Sequence, residues 1–355
     1  MARVFKLAGL IIPRWLPRRL ASLVFLAPIF LAAQTRTLPF GPWHRISDSP
    51  IISAQGTTWE SAGTFNPAVI LVHDQPGLKS DASSKVVILY RAQDASGTSR
   101  LGYAESLDGI HFARRADPVL SPEADYESSG GVEDPRLQKI GDTFYLTYTG
   151  YNKKDAQLCL AVSADLIHWE RKGVILPAYK GNWNVGWTKS GAIAPEKIDG
   201  KYWMYWLGTA ADKTDQMGLS YSTDLLHWTE ATDKPVLPRR PGKFDSRVVE
   251  PGPPPLFTPD GIVLVYNGAD DQLVYRTGIA IFDRSDPRKL LSRSEQPVFA
   301  PEKDWEKAGQ VPNVVFVEGM IPVKTSQHDD AFRFYYGGAD KYVGLAEATV
   351  NFRKH

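Results

Sequence analysis

The chain has 355 residues, a hydrophobic content of 43% and a formal net charge of +1. This composition is typical of a globular protein, and the balanced charge predicts neither a nucleic-acid partner nor an acidic tail. Aromatic residues are plentiful, with 10 Trp, 15 Tyr and 15 Phe, and most of them are expected to pack inside the fold.

The first 33 residues are predicted to be a signal peptide. Basic residues between Arg3 and Arg19 precede an apolar run, Leu20 to Ala33, which ends in small residues. Such a run is too short for a comfortable transmembrane helix and is typical of a segment that is cleaved near its end. We therefore expect an exported protein, periplasmic or secreted, with no stable membrane association after cleavage. The alternative is an uncleaved membrane anchor.

The remaining chain, residues 34–355, repeats a unit of about 58 residues. Its clearest marker is an Asp-x-x-His-aromatic pentad that follows an aromatic-rich strand, and the copies begin at Asp108, Asp165, Asp224 and, in degenerate form, Asp283. Turn residues between short alternating segments predict antiparallel strands. We expect an all-β fold and a single catalytic domain, a five-bladed β-propeller, with blade boundaries near residues 126, 185, 245 and 305.

The pentads are interpreted as structural turns, in which the Asp caps nearby N–H groups and the aromatic residue packs between blades. Their histidines are therefore not expected to bind a metal. The sequence shows no dedicated metal-ligand loop, and neither a metal nor a cofactor is predicted. The single cysteine, Cys159, lies in the apolar segment LCLAV and is expected to be buried.

Two adjacent acids stand out at the beginning of the second repeat. The segment GGVEDPRL places Glu133 and Asp134 beside a Gly pair and close to Arg136. A catalytic pair and a salt-bridged turn are both compatible with this pattern.

The next two repeats carry one candidate acid each. Glu196 follows Pro195 in WTKSGAIAPEKIDG, a segment that also contains Lys189. Glu250 precedes a stiff Pro/Gly run in DSRVVEPGPPPL, downstream of Arg247. We expect Asp134, Glu196 and Glu250 to occupy equivalent positions and to converge on the propeller axis, where nearby carboxylates can divide acid and base roles.

Polar residues of the first and last repeats complete a predicted sugar-binding ring, and they are Asn66, Arg91, Asn313 and Asp340. The polar neighbours of the candidate acids are also expected to bind substrate, namely Glu133, Arg136, Lys189 and Arg247. Three tryptophans are candidate platforms for sugar rings, namely Trp183, Trp187 and Trp206.

The chain resembles glycoside hydrolase family 130 in motifs that occur in the family's order: GGVEDPRL, YLTYTGY, WTKSGAI, GKYWMYW, EPGPPPLFTPDGIVLVYNGAD, TGIAIFD, WEKAGQVPNVVF and YYGGAD. The resemblance extends from about Pro50 to about Val350. It implies a five-bladed propeller that acts on β-mannosides with inversion of the anomeric centre. The family contains phosphorylases, which use inorganic phosphate, and hydrolases that act on β-1,2-linked mannosides.

The resemblance also implies residue roles. It assigns proton donation to Asp134 and, by analogy with the hydrolase branch, activation of water to Glu196 and Glu250. Two ionised glutamates would repel a phosphate dianion, and export also favours hydrolysis. We therefore expect an inverting hydrolase of β-mannosides, particularly β-1,2-linked ones. The alternatives are a phosphate-dependent β-mannoside phosphorylase and a non-catalytic glycan-binding propeller.

Overall fold

The structure is a computed structural model that describes residues 38–73, 84–324 and 330–351. The predicted signal peptide lies outside the described residues. Thr37–His355 form one compact unit. Within the described ranges, no helix is both long and apolar enough to cross a membrane.

The regular secondary structure of the described chain consists almost entirely of β-strands, as the sequence predicts. Its helices are a single 3-10 turn (Asp125–Glu127) and one α-helical turn, α1 (Asp304–Lys307). The strands are rich in β-branched and aromatic residues, which suit a pleated and buried surface. Two short strands come first, β1 (His44–Arg45) and β2 (Ile52–Ser53).

The other strands fall into five successive units. Unit 1 contains β3 (Gly63–His73), β4 (Ser84–Gln93), β5 (Ser99–Ser106) and β6 (Ala113–Arg114). Unit 2 contains β7 (Gly131–Ile140), β8 (Thr143–Tyr151), β9 (Ala156–Ser163) and β10 (Glu170–Leu176). Unit 3 contains β11 (Asn184–Ile193), β12 (Tyr202–Ala210), β13 (Asp215–Ser222) and β14 (Thr229–Glu230).

Unit 4 contains β15 (Val248–Pro251), β16 (Leu256–Thr258), β17 (Gly261–Ala269), β18 (Tyr275–Phe282) and β19 (Leu290–Arg293). Unit 5 contains β20 (Val315–Val323), β21 (Ala331–Gly338) and β22 (Tyr342–Thr349). The predicted boundaries at 126, 245 and 305 fall shortly before the first strand of a unit, and the one at 185 falls on the second residue of β11.

Pairing within each unit is antiparallel and joins strands adjacent in sequence, except in unit 4, where β15 and β16 both pair with β17. Isolated parallel pairings of Ser99 with Gly131 and of Asp215 with Val248 connect unit 1 to unit 2 and unit 3 to unit 4, and a third, Tyr275 with Val314, connects unit 4 to the start of unit 5. Unit 5 also incorporates the beginning of the described chain, because β22 pairs with both β1 and β2. Residues near the two ends of the described chain therefore share one sheet.

The hydrophobic core is divided into layers between successive units. Five main clusters of buried residues occur, and each combines two units, including unit 5 with unit 1. Representative members of the same cluster are Leu89 with Leu146, Leu158 with Met204, Leu219 with Leu264, Val265 with Phe334, and Leu345 with Ile88. Burying each such side chain contributes about 1.5–3 kcal/mol, so the packing between units stabilises the fold.

A buried triad of tyrosine, acid and arginine recurs in four units. In unit 2, the Tyr148 hydroxyl donates to Glu127 at 2.7 Å, and Arg171 Nε donates to the same carboxylate at 3.0 Å. The acid precedes the first strand, the tyrosine lies on the second strand and the arginine lies on an edge strand. The other triads are Tyr90–Glu60–Arg114, Tyr266–Asp245–Arg293 and Tyr336–Glu306–Arg45.

The pentads are turns, as predicted. In the first one, Asp108 Oδ1 accepts hydrogen bonds from the backbone N–H groups of Ile110 and His111, and Oδ2 lies 2.7 Å from His111 Nδ1. The same contacts recur at Asp165 and Asp224. Each histidine is exposed and bonded to its own turn, which explains its presence in the repeat. Cys159 is buried, as the sequence also predicts.

We predict that Arg45→Met destabilises the protein by about 3–5 kcal/mol, because the change leaves a buried carboxylate without its cation. Arg45 donates to both oxygens of Glu306 at 2.7 Å, and Glu306 is fully buried. The free energy of unfolding in urea measures the effect. Lys303→Met is the matched control, since it removes only an exposed pair with Asp48 and should have a much smaller effect. Equal losses in the two variants would show that the triad does not stabilise unit 5.

Candidate active site

The first strands of the units bring polar side chains together at irregularities in the ladders. In β3 the register shifts between Phe65 and Pro67, so that Asn66 is left out of the pairing. Comparable shifts release Asp134 in β7, Ser190 in β11 and Glu318 in β20. Bulges of this kind redirect side chains and are frequent beside active sites.

Three of these bulged residues also have a strained backbone. The φ angles of Asn66, Asp134 and Ser190 are 49°, 47° and 59°, in the left-handed region that non-glycine residues seldom adopt. Strain of this kind is retained where the surrounding structure enforces it, commonly at functional sites. Because the same backbone distortion recurs in three units, Asn66, Asp134 and Ser190 occupy comparable positions in their first strands.

Asp134 is the centre of the resulting cluster. Its Oδ1 accepts hydrogen bonds from Asn66 Nδ2 at 3.0 Å and from Arg91 at 2.9 Å, and its Oδ2 lies 3.5 Å from Lys189 Nζ. The side chain is only 5% exposed. Arg91 also donates to Glu133 at 2.5 Å, so it holds the two adjacent acids together.

Glu250 and Glu318 extend the cluster from units 4 and 5. Glu250 lies on β15 opposite Asn267, accepts a hydrogen bond from the Ser190 hydroxyl and lies 3.8 Å from Lys189 Nζ. Glu318 Oε1 contacts Arg136 at 2.5 Å and accepts from Asn66 Nδ2 at 3.1 Å. Lys189 thus stands between Asp134 and Glu250, while Asn66 connects Asp134 to Glu318.

The electrostatics separate these acids into two classes. Burial alone would raise the pKa of Asp134, but Arg91, Lys189 and Arg136 outweigh it and lower the pKa to about 2. For Glu250, burial outweighs the neighbouring cations Lys189 and Arg136, so its pKa is raised. The cluster therefore combines an acid that stays ionised with one that accepts a proton more readily.

Asp340 and Glu318 belong to the second class. Burial raises the pKa of Asp340 to about 6, although Arg91 opposes the shift. Burial also raises the pKa of Glu318 well above its usual value, and its Oε2 has no hydrogen-bond partner among the described residues. Lys189 remains charged, because Glu250 and Asp134 raise its pKa against the effect of burial.

The expected position of Glu196 is wrong. Glu196 lies beyond the end of β11, is exposed, and its nearest ion-pair partner is Arg284 at 3.6 Å. The register of β11 with β12 shows that Ser190, not Glu196, is the counterpart of Asp134. The bulge in β11 therefore places the equivalent residue six positions before Glu196.

Arg136 was predicted to hold substrate, but the structure gives it a structural role. Its side chain is 1% exposed, and it donates to the carbonyls of Pro251 and Gly252 at 2.7 and 3.2 Å. It also contacts Glu318 and the carbonyl of Asp134. The Pro/Gly run after Glu250 thus presents fixed carbonyls that connect unit 4 to unit 2.

The other residues predicted to bind substrate differ in how deeply they are buried. Asp340 is half-buried and interacts electrostatically with Arg91, Asp134 and Lys189. Asn313 is half-buried, and its carbonyl accepts the Tyr275 backbone N–H at 3.0 Å. Arg247 is exposed at the approach to β15.

Sequence reasoning missed three residues of the site, Ser190, Glu318 and Tyr275. Glu318 is a single acid between Val317 and Gly319 in an otherwise apolar strand, and this contrast could have identified it. Tyr275 begins β18, and its pKa is raised by burial and by Glu250. Its position near Glu250 depends on pairing between strands, which the local sequence does not reveal.

The three candidate tryptophans differ in their exposure to solvent. Trp206 is fully buried and stacks on Trp183 at 5.4 Å, so this pair belongs to the packing. Trp187, in contrast, is 37% exposed. No group of three or more His, Cys, Asp or Glu residues in the described ranges could hold a metal ion.

The cluster can bind hydroxyl groups through ionised and neutral carboxyls, and it contains cations that can attract an anion. Charged donors and acceptors in a desolvated site form stronger hydrogen bonds than neutral groups in water. An arrangement of this kind suits a polyhydroxylated ligand and the transfer of protons to and from it.

Comparisons with known proteins agree with this chemistry. The model of glycoside hydrolase family 130, described as beta-1,4-mannooligosaccharide phosphorylase, matches residues 40–354. A 1,2-beta-oligomannan phosphorylase from Thermoanaerobacter sp. (strain X514) is 39% identical over 313 residues, which cover 85% of this chain and 95% of that protein.

Two solved structures are also similar. A glycosyl hydrolase from Bacteroides ovatus is 34% identical, with a TM-score of 0.74 and coverage of 88% of this chain and 95% of the other. The second, described as "The GH130 family of mannoside phosphorylases contains glycoside hydrolases that target beta-1,2 mannosidic linkages in Candida mannan", is 36% identical, with a TM-score of 0.75 and the same coverage. The chain belongs to glycoside hydrolase family 130.

Proposed function

We propose that this protein is an inverting phosphorylase that cleaves β-1,2-linked mannosides with inorganic phosphate. The observation that carries the proposal is Lys189, a partly exposed cation held between Asp134 and Glu250. The 39% identical relative is named a 1,2-beta-oligomannan phosphorylase, which supports both the linkage and the nucleophile.

The charge argument for hydrolysis loses its basis when Glu196 is removed from the cluster. Of the two glutamates in that argument only Glu250 remains in the cluster, and burial raises its pKa, so its negative charge is more easily neutralised than that of an exposed glutamate. The Lys189 ammonium has three donors, and contacts of 3.5 and 3.8 Å leave it able to reorient towards an anion. Arg247, exposed near the start of β15, is a second cation within the same segment as Glu250.

The ionisation of Asp134 limits its role in the reaction. Because its pKa is lowered to about 2, the carboxylate holds no proton to donate at neutral pH when the site is empty. In the substrate complex Asp134 would take up one proton from solvent and pass it to the departing oxygen while HPO₄²⁻ attacks C1 from the opposite face; the mannose 1-phosphate formed then releases the proton of the attacking phosphate to solvent, so that protons balance. We assign Asp134 the transfer of the proton to the departing oxygen and the binding of the sugar at the cleaved bond.

For the fold, we propose a closed five-bladed β-propeller in which each unit is one blade. The five main core clusters join the units in cyclic order, and this supports closure. The first strands of the blades contact one another from β20 to β3, β7, β11 and β15, which surrounds a common axis. Export with a cleaved signal peptide remains part of the proposal.

A specific observation favours a second candidate, the inverting hydrolase. Glu250 is a buried carboxyl beside Lys189 and could act as the base that activates water. The description of the 36% identical structure says that the family contains glycoside hydrolases that target β-1,2-mannosidic linkages. In an inverting hydrolase one carboxyl would protonate the leaving oxygen while another deprotonates water.

We predict that cleavage of β-1,2-mannobiose requires phosphate. Without phosphate, the rate should fall to the background level, because water lacks the charge that Lys189 would attract. The measurement follows disaccharide loss in phosphate and in phosphate-free buffers of equal ionic strength. Equal rates with release of free mannose would establish the hydrolase instead.

We predict that Glu250→Gln lowers the phosphorolysis rate less than about 10-fold, because glutamine imitates the neutral carboxyl that burial favours; loss of a catalytic base would instead cost about 10²–10⁴. Steady-state kcat with saturating phosphate distinguishes the two results. Glu196→Gln is the matched control, since the same change at an exposed position should leave the rate unchanged. A large loss in Glu250→Gln alone would favour the hydrolase.

A further inference from the structure

Three aromatic side chains next to the cluster are exposed or half-buried. Trp187 and Tyr179 are 37% and 55% exposed, and Tyr151 is half-buried. The Tyr151 and Trp187 ring centroids are 5.8 Å apart with an interplanar angle of 58°. We call Tyr151, Tyr179 and Trp187 the aromatic platform. Exposed aromatic rings held together in this way provide an apolar surface with polar edges. Such a surface suits a pyranose, which has apolar C–H groups on its faces and hydroxyl groups at its edge.

Hydrogen bonds fix the orientation of the platform. Trp187 Nε1 donates to the Tyr179 hydroxyl at 3.2 Å, and this hydroxyl donates to Asp155 Oδ1 at 2.8 Å. The chain of bonds connects β11, the segment before it and the residue that precedes β9. Rings fixed before a ligand arrives lose less conformational entropy on binding.

The backbone at Tyr179 is strained, which supports a role beyond packing. Its φ is 63°, a left-handed conformation that is rare for a bulky residue. A hydrogen bond of 2.7 Å from the Tyr179 N–H to the Gly186 carbonyl holds the segment against β11. The strain therefore places a largely exposed ring beside Trp187, although Tyr179 contributes little to the core.

The platform is continuous with the reactive cluster. Trp187 and Lys189 are two residues apart on β11 and project from the same face of the strand, about 7 Å apart along the chain. Tyr151 pairs with Gly131, at the beginning of the strand that carries Asp134. A saccharide with its cleaved bond beside Lys189 would thus have its next sugar at the platform.

We propose that the aromatic platform is a binding subsite for the leaving part of the oligosaccharide, on the side of the cleaved bond away from the sugar held by Asp134. This inference rests on the proposed β-mannoside activity and adds a determinant of substrate preference. The ligand is a mannosyl residue that stacks on Trp187, with its hydroxyl groups within reach of Asp155.

The test compares substrates with and without a leaving sugar. β-Mannosyl fluoride fills only the site of the sugar that is transferred, whereas β-1,2-mannobiose and β-1,2-mannotriose also fill the leaving side. We expect Trp187→Ala to lower kcat/KM about 10-fold on the better of the two oligosaccharides and to leave the fluoride reaction unchanged. Trp187→Phe should restore most of the loss, because it keeps an aromatic face.

Two further variants complete the experiment. Tyr179→Phe removes only the hydroxyl that orients Trp187 and should give a smaller loss of about 3-fold, again on oligosaccharides alone. Leu226→Ala is the control, because this residue is 38% exposed and lies in a pentad turn; it should behave as wild type. Equal losses on the fluoride and the oligosaccharides, or no loss on either by Trp187→Ala, would overturn the proposal.

All reactions contain phosphate and are followed as substrate consumption, so that attack by phosphate or by water is counted alike. Failure of the proposed function is then visible in the wild type alone, as the absence of β-1,2-mannoside cleavage. Failure of the platform proposal is visible in the ratio of kcat/KM between Trp187→Ala and the wild type.

Discussion

Asp134 is a buried carboxylate, and its charge is tolerated because cations from three units surround it. Arg91 comes from unit 1, Arg136 from unit 2 and Lys189 from unit 3. An isolated ionised group would be far too costly at this depth, so the units must keep their relative positions for the charge to be compensated. The geometry of the site and the assembly of the fold therefore depend on each other.

The same constraint explains why the remaining acids differ from Asp134. Each further negative charge in the cluster would be less well compensated, and burial raises the pKa of Glu250, Glu318 and Asp340. Acids whose charge is more easily neutralised oppose a phosphate anion less than firmly ionised carboxylates would. The ease of protonation of each acid, and not only the number of acids, therefore bears on the choice of nucleophile.

Much of the fold could be predicted because its signal is repeated: every unit shows an aromatic strand, and three carry a full pentad whose Asp makes the same turn. Most of the cluster was also predictable, since Asp134, Lys189 and Glu250 lie in conspicuous polar segments. Glu196 was misplaced for a physical reason, whereas Glu318 was missed although it is a lone acid in an apolar strand. Bulges in the first strands change which residue of a unit turns inward, and they depend on pairing with the next strand rather than on local sequence.

The central claim is that phosphate attacks a mannoside bound at Asp134 in a single displacement. Time-resolved ¹H and ³¹P NMR of β-1,2-mannobiose with phosphate tests it most directly, because the first product is observed before its anomers interconvert. The account predicts α-mannose 1-phosphate as the initial product, in equal amount to the released mannose. Free α-mannose from the cleaved unit, with no sugar phosphate, would contradict the claim and assign the attack to water.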